Sequence, residues 1–226
     1  MNQPPVQPVC KVAIVDDHTL MREGIRLFVN SLDGFACVWQ ASSCREAIGL
    51  IEQDRPDLMI VDITLPDRTG LELIKDLSVS HPDVALLVLS MHDEKLYALR
   101  ALNAGAKGYV MKHAPHQELE ASLRKVAAGG IAVSSVISDM VVGAFSGSGK
   151  GRPDQEIHAL TDREFEIFQK IGKGLSTNDI ATELNISPKT VDVHRLNIRT
   201  KLRLEDGGAL TRWAIRWMEA SHHEQP

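Results

Sequence analysis

Five short apolar runs separated by longer amphipathic stretches constrain the first 128 residues more than any other feature of the chain. "KVAIV" (11–15), "DLMIV" (57–61), "ALLVL" (85–89) and "GYVM" (108–111) are branched, apolar and short, so they read as buried strands, with a weaker one at Phe35–Ala41. Between them, residues 18–32, 44–53, 70–80, 93–104 and 115–128 carry apolar side chains at helical spacing. Strands that alternate regularly with helices pair in parallel, because each crossover helix returns the chain to the same edge before the next strand begins. The expected fold of this part is α/β, a five-stranded doubly wound parallel sheet with helices on both faces. In such sheets, ligands bind outside the carboxyl ends of the strands.

From Gly129 the alternation stops. Residues 129–157 contain "GG", a moderately apolar "VISDMVVGAF" and then "SGSGKGRPDQE", whose small and polar side chains read as a linker. "GSGKG" is not a phosphate loop: that pattern needs glycine in place of Ala144 and Ser or Thr in place of Gly151, and no strand leads into it. The expected organisation is therefore a first domain over 1–128, a linker over 129–157 and a second domain over 158–226.

The second domain is expected to be small and all-α, with four helices near 162–172, 177–184, 188–202 and 206–220. Thr161 with Glu164 and Ser176 with Asp179 have capping-box spacing, and Ser187-Pro188 sets a cap before a proline at the first helical position. Only "NIS" separates the second helix from the third, the pattern of a helix-turn-helix.

Composition narrows the classes of function. The longest apolar run, Val84–Leu89, is far too short to span a bilayer, and the start "MNQPPVQPV" has neither a basic end nor an apolar h-region, so a cytoplasmic protein with no membrane partner is expected. Cys10, Cys37 and Cys44 lack metal-site spacing and read as reduced structural thiols. The net charge of −5 is uneven: residues 1–130 hold 13 basic and 17 acidic side chains, whereas 158–226 hold 10 of each. Between 187 and 203, Lys189, Arg195, Arg199, Lys201 and Arg203 face a single acid, Asp192, so the local sign is positive.

The strand ends carry the chemistry. Asp16 and Asp17 follow the first strand, Asp62 the third, Ser90 the fourth and Lys112 the fifth, so all would converge on one rim. Carboxylates this close must take up protons or recruit a hard cation, and oxygen ligands favour Mg²⁺. Mg²⁺ commonly joins carboxylates to phosphate oxygens, which makes one carboxylate a candidate nucleophile toward a phosphoryl group. Lys112 could pair with the phosphoryl oxygens, and Ser90 could donate a hydrogen bond to them. Pro66 and Gly70 would shape the adjoining loop, with Gly70 free to adopt positive φ, and His18 reads as a helix-start residue.

"VAIVDDHTLMREGIR", "PDLMIVDITLPDRTGLELI", "VLSMH" and "ALNAGAKGYVMK" resemble the receiver domain of two-component response regulators over nearly all of 10–128. The resemblance implies a flavodoxin-like fold, Asp62 as phosphoacceptor, and Mg²⁺ held by Asp16, Asp17, Asp62 and the Thr64 main-chain carbonyl. It also implies Ser90 as the switch hydroxyl, Lys112 as the conserved-type lysine and Tyr109 as the switch aromatic, for which a core tyrosine is the plainer alternative. His113 departs from the subfamily, which often has an acidic or small residue there.

"LTDREFEIFQKIGKGLSTNDIATELNISPKTVDVHRLNIRTKL" (160–202) resembles the LuxR-type helix-turn-helix module, so with the receiver-like stretch before it the chain is similar to the NarL/FixJ family. The helix from Pro188 to Leu202 is expected to lie in the major groove of double-stranded DNA. Its candidate contacts are Lys189, Thr190, Asp192, Val193, His194, Arg195, Arg199 and Lys201, the stretch from 195 to 199 included; His194 could equally pack inward, as Val191 and Ile198 should. Asp192 stands where many relatives present lysine, and it could accept from a cytosine amino group. Trp213, Ile215 and Trp217 suit either a dimer contact or the core.

Together these readings imply a phosphorylation-dependent transcription factor served by a sensor histidine kinase and acting as a homodimer, not an enzyme. Two alternatives remain at this level: a regulator that binds DNA without phosphorylation, and a phosphatase on a receiver-like sheet. The D-x-D motif of haloacid-dehalogenase-type phosphatases is not met, since Thr64 occupies its second place.

Overall fold

Strands β1 (Cys10–Val15), β2 (Phe35–Ala41), β3 (Leu58–Val61), β4 (Ala85–Ser90) and β5 (Gly108–Met111) form one sheet in the order β2-β1-β3-β4-β5. Every pairing is parallel. The computed structural model describes residues 9–145, 157 and 159–223, which divide into two units between Ser148 and Gly149. The unit that holds the sheet also holds α1 (Thr19–Ser31), α2 (Cys44–Ile51), α3 (Gly70–Ser80), α4 (Glu94–Ala104), α5 (His116–Ala127) and α6 (Ser135–Phe145).

The central strands are buried on both faces, as runs without apolar-polar alternation require, while β2 at the edge is half-buried: Val12, Ala13, Ile14 and Val15 of β1 are all inaccessible to solvent. Val12 and Ile14, Leu58 and Ile60, and Leu87 and Leu89 meet Ile25 and Val29 of α1 and Leu119, Leu123 and Val126 of α5 in one core. Helix starts follow local chemistry. Ser43, Thr69 and Asp93 each accept from a main-chain N–H in the first turn of α2, α3 and α4. His18 occupies the N-cap position of α1 but makes no side-chain cap bond.

Within the segment expected to be a linker, α6 forms at Ser135–Phe145 and packs on α4. Ser134 starts it, accepting from Ile137 N while its hydroxyl donates to Glu94 Oε1 at 2.9 Å. Just before α6, Ala132 joins the outer edge of β5: Ala132 N donates to Lys107 O (2.8 Å) and Tyr109 N donates to Ala132 O (2.9 Å). A strand edge that would otherwise be open is covered there. The approach needs Gly108, where a Cβ would lie 2.6 Å from the Ala132 carbonyl oxygen. The "GSGKG" stretch lies outside the described residues.

The second unit contains α7 (Asp162–Gly172), α8 (Thr177–Glu183), α9 (Pro188–Lys201) and α10 (Gly207–His223). Both capping boxes form, Thr161 with Glu164 and Ser176 with Asp179, and Ser187 caps α9 ahead of Pro188. Asn185 takes φ 50° in the turn between α8 and α9, a left-handed position that asparagine tolerates. Phe165, Phe168, Ile180, Val191, Ile198, Leu210 and Trp217 are buried together. Phe168 packs against Trp213 and Trp217 at ring-centroid distances of 5.4 and 5.5 Å, so both tryptophans are committed to this core while Ile215 stays exposed.

Candidate functional site

The chain leaves β1 and β3 side by side, and helices depart from these two strands toward opposite faces, which opens a crevice at their carboxyl ends. Asp16 and Asp17 extend β1 and Asp62 extends β3; Asp62 N donates to Val15 O at 2.8 Å, which keeps the two strand ends level. One ligating atom from each of Asp16, Asp17, His18 and Asp62 lies within 4.8 Å of the others.

Lys112, one residue beyond β5, reaches across to this group. Its Nζ lies 2.7 Å from Asp16 Oδ2 and 2.7 Å from Asp62 Oδ2, with all three side chains at most 4% exposed. Burial works against the ammonium, but its hydrogen bonds to the two carboxylates outweigh that and hold Lys112 above the ordinary lysine range. Burial also pushes the Asp62 carboxyl above its ordinary range, with Lys112 opposing.

The oxygens not used by Lys112 fit a divalent ion. Asp17 Oδ1 is buried with no hydrogen-bond partner; His18 Nδ1 lies 2.8 Å away but outside hydrogen-bond geometry. A hard cation satisfies such an oxygen, and the carboxylate set around it is the donor chemistry that Mg²⁺ prefers.

Gly70 has a role other than the one expected. Its φ is not positive. A Cβ at this first residue of α3 would collide with the Asp62 main-chain oxygen, and Gly70 N donates to Ile63 O at 2.8 Å. The glycine lets α3 start against the loop that carries Asp62.

Ser90 is fully buried at the end of β4, and its Oγ accepts from His92 N at 3.2 Å. Tyr109 is buried too, and its hydroxyl donates to His92 O at 2.7 Å. Burial pushes the phenol above its ordinary range, so it stays a donor. His92, to which the sequence reading gave no role, ties these groups together: its Nε2 is 3.0 Å from Thr64 Oγ1, and its ring stacks on Tyr97 at 4.5 Å. The available signal was its position two residues after Ser90. His113 is exposed.

On α9, Lys189, Thr190, Asp192 and Val193 are exposed, His194, Arg195 and Arg199 are partly buried, and Val191 and Ile198 face the core. Lys201 is engaged within the unit, with Nζ 2.6 Å from Oε2 of the buried Glu164. The expected contact set is thus divided between the outward face of the helix and its flanks.

Residues 12–124 match the response regulator receiver domain, and residues 158–214 match the bacterial regulatory proteins of the luxR family. The oxygen regulatory protein NreC of Staphylococcus carnosus is 32% identical over 210 residues, covering 91% of this chain and 97% of that protein. The response regulator UvrY of Escherichia coli is 33% identical over 205 residues, covering 91% and 93%. In fold, the chain is similar to RcsB from Salmonella enterica serovar Typhimurium bound to promoter rprA in the presence of BeF3−, with TM-score 0.62, 22% identity and coverage of 91% and 98%. With both modules matched in order and relatives alike over nearly their full length, this chain belongs to the NarL/FixJ family of two-component response regulators, a receiver followed by a LuxR-type DNA-binding domain.

Proposed function

We propose that a sensor histidine kinase passes a phosphoryl group to Asp62 and that the phosphorylated protein binds double-stranded DNA as a homodimer in the cytoplasm to regulate transcription. The observation that carries this reading is the buried pairing of one ammonium with two carboxylates drawn from β1 and β3. An Asp62 oxygen attacks phosphorus as the bond to the kinase imidazole breaks, and the imidazole keeps the bonding pair. Lys112, already between Asp16 and Asp62, is placed to pair with an oxygen of the incoming group. A Mg²⁺ ion held by Asp16, Asp17, Asp62 and the Thr64 main-chain carbonyl would supply screening of the converging negative charge.

The Ser90 hydroxyl then turns to donate to the new phosphoryl oxygens, which pulls on the bond its oxygen accepts from the His92 amide. That draws on the loop over which Tyr109 closes, so Ser90 and Tyr109 report the modification to α4 and the β5 edge. Lys189, Thr190, Asp192 and Val193 reach base edges, while Arg195, Arg199 and His194 serve the phosphates; Lys201 does so only by sharing its charge with Glu164.

The test is operator affinity of the full chain with and without BeF3−. Wild type should bind more tightly with BeF3−, whereas Asp62→Asn should take up no phosphoryl group from acetyl phosphate and give one affinity in both conditions. Equal wild-type affinities would assign DNA binding independent of phosphorylation, and unchanged phosphorylation of Asp62→Asn would exclude Asp62 as acceptor.

A further inference from the structure

The positive charge of residues 187–203 suggests a cationic surface on α9, but its outward face is partly apolar. Val193 and Leu196 are 51% and 53% exposed, and Lys189, Asn197 and Thr200 are exposed beside them. These five positions follow the spacing of one helical face, and Val191 and Ile198 lie fully buried on the other side. Arg195 and Arg199 are partly buried, and the Lys201 ammonium is bonded to Glu164. The face offered to a partner is therefore two branched aliphatic side chains flanked by Lys189 and the exposed Asp192 on one side and by the Asn197 amide on the other. Two exposed aliphatic side chains are ordinary on a protein surface by themselves, and their place in the fold is what singles these out.

The chemistry of the partner follows from where the stripe sits. It occupies the N-terminal and middle turns of the second helix of a helix-turn-helix, the part that enters the major groove. The apolar group on a base edge in that groove is the C5-methyl of thymine. We propose that Val193 and Leu196 read thymine methyls, so that operator choice depends on methyl contact. Asn197, one residue along, is placed to bond N6 and N7 of adenine, so Val193, Leu196 and Asn197 together select A·T pairs, while Asp192 on the same face is an acceptor suited to a cytosine amino group. Arg195 and Arg199 beside the stripe fix register through phosphate contacts. This inference rests on the DNA-binding reading given above.

The test uses the full chain with BeF3− and duplexes selected from random DNA for tight binding, each then remade with deoxyuridine in place of single thymines. Removing a contacted methyl should weaken binding about fourfold per half-site, the value of one buried methylene. Val193→Ala and Leu196→Ala should each lose that discrimination at one position while the dependence on salt is kept. Val193→Thr, nearly the same shape, controls for packing and should keep part of it through its own methyl. Sequence-selective binding that ignores every thymine-to-uracil change overturns the inference and leaves the DNA-binding reading standing. Variants that weaken thymine and uracil duplexes by the same factor also overturn it, and assign the stripe to a protein contact such as a second copy of this chain. Failure of the BeF3−-treated protein to bind any duplex at low salt removes both readings.

Discussion

At the scale of single residues, Lys112 is the side chain on which the site's electrostatics turn. Replacing it with methionine leaves Asp16 and Asp62 facing each other out of water, and breaking a buried pair in this way costs about 3–5 kcal/mol. The pH dependence has a definite sign. Burial already raises the folded-state pKa of Asp62 above its unfolded value, and with the ammonium gone nothing opposes that rise. The Lys112→Met protein is then relatively stable below the ordinary carboxyl range and loses stability as pH rises through the raised Asp62 value. Urea denaturation at several pH values should show its deficit against wild type widening toward neutrality, and millimolar Mg²⁺ should narrow it. Gly70 acts through geometry instead. Gly70→Ala forces the Asp62 main chain to shift, so it should cost about 1–3 kcal/mol and slow acetyl phosphate labelling of Asp62, read by denaturation and by phosphoprotein gels. The cysteines take no part: burial pushes the Cys10 thiol up to about 11 and the Cys44 thiol up to about 12, so neither is a thiolate at neutral pH.

At the scale of elements, helix boundaries were legible because capping is written within a few residues. Thr161, Ser176 and Ser187 all cap the helices that their spacing announced. Glu164 does more than its box requires, since it also binds Lys201 of α9 from 37 residues away. Burial opposes the Glu164 carboxylate, but the bonds from Lys201 and from the Thr161 main chain hold it below the ordinary glutamate range. A depressed folded-state pKa contributes stability that is present above the unfolded value and lost as pH falls through the folded one. The melting temperature of the helical unit should therefore fall on acidification, and Glu164→Gln should flatten that fall; fluorescence of Trp213 and Trp217 in a Trp39→Phe background reads it. Thr161→Ala should cost about 1 kcal/mol in the same assay. The element that the sequence reading did not foresee is α6. Its apolar run is not clearly periodic, and what holds it is α4, with Ala132 just before it bonded to the β5 edge. Ser134 was the available signal, because it both starts α6 and bonds Glu94.

At the scale of the whole molecule, the switch must supply differential free energy. Moving a two-state population from about 1% to about 99% active takes roughly 5.5 kcal/mol. A phosphoryl group bonded by Lys112 and Ser90 in one state and not the other can supply a large part of it. The number of copies on DNA is readable from salt. With about four cations per protomer on phosphates, the slope of log Kobs against log salt is near −4 for a monomer and near −7 for a homodimer. Filter binding over a range of salt with BeF3− present is expected to give the steeper value.

The sequence by itself determined the α/β alternation, the helix starts, the helical second unit and the residue types at the strand ends, because period and capping depend on neighbours a few positions apart. It also supplied the rim on which Asp16, Asp62 and Lys112 meet, through the general rule for parallel sheets. Only the tertiary structure decided that Lys112 bonds both carboxylates, that Gly70 is needed for clearance from Asp62, that His92 links Thr64 to Tyr109, and that Lys201 is spent on Glu164. Each of these joins residues on different elements. Such contacts are fixed by strand order and by how side chains fill the space between layers, and no local pattern records either.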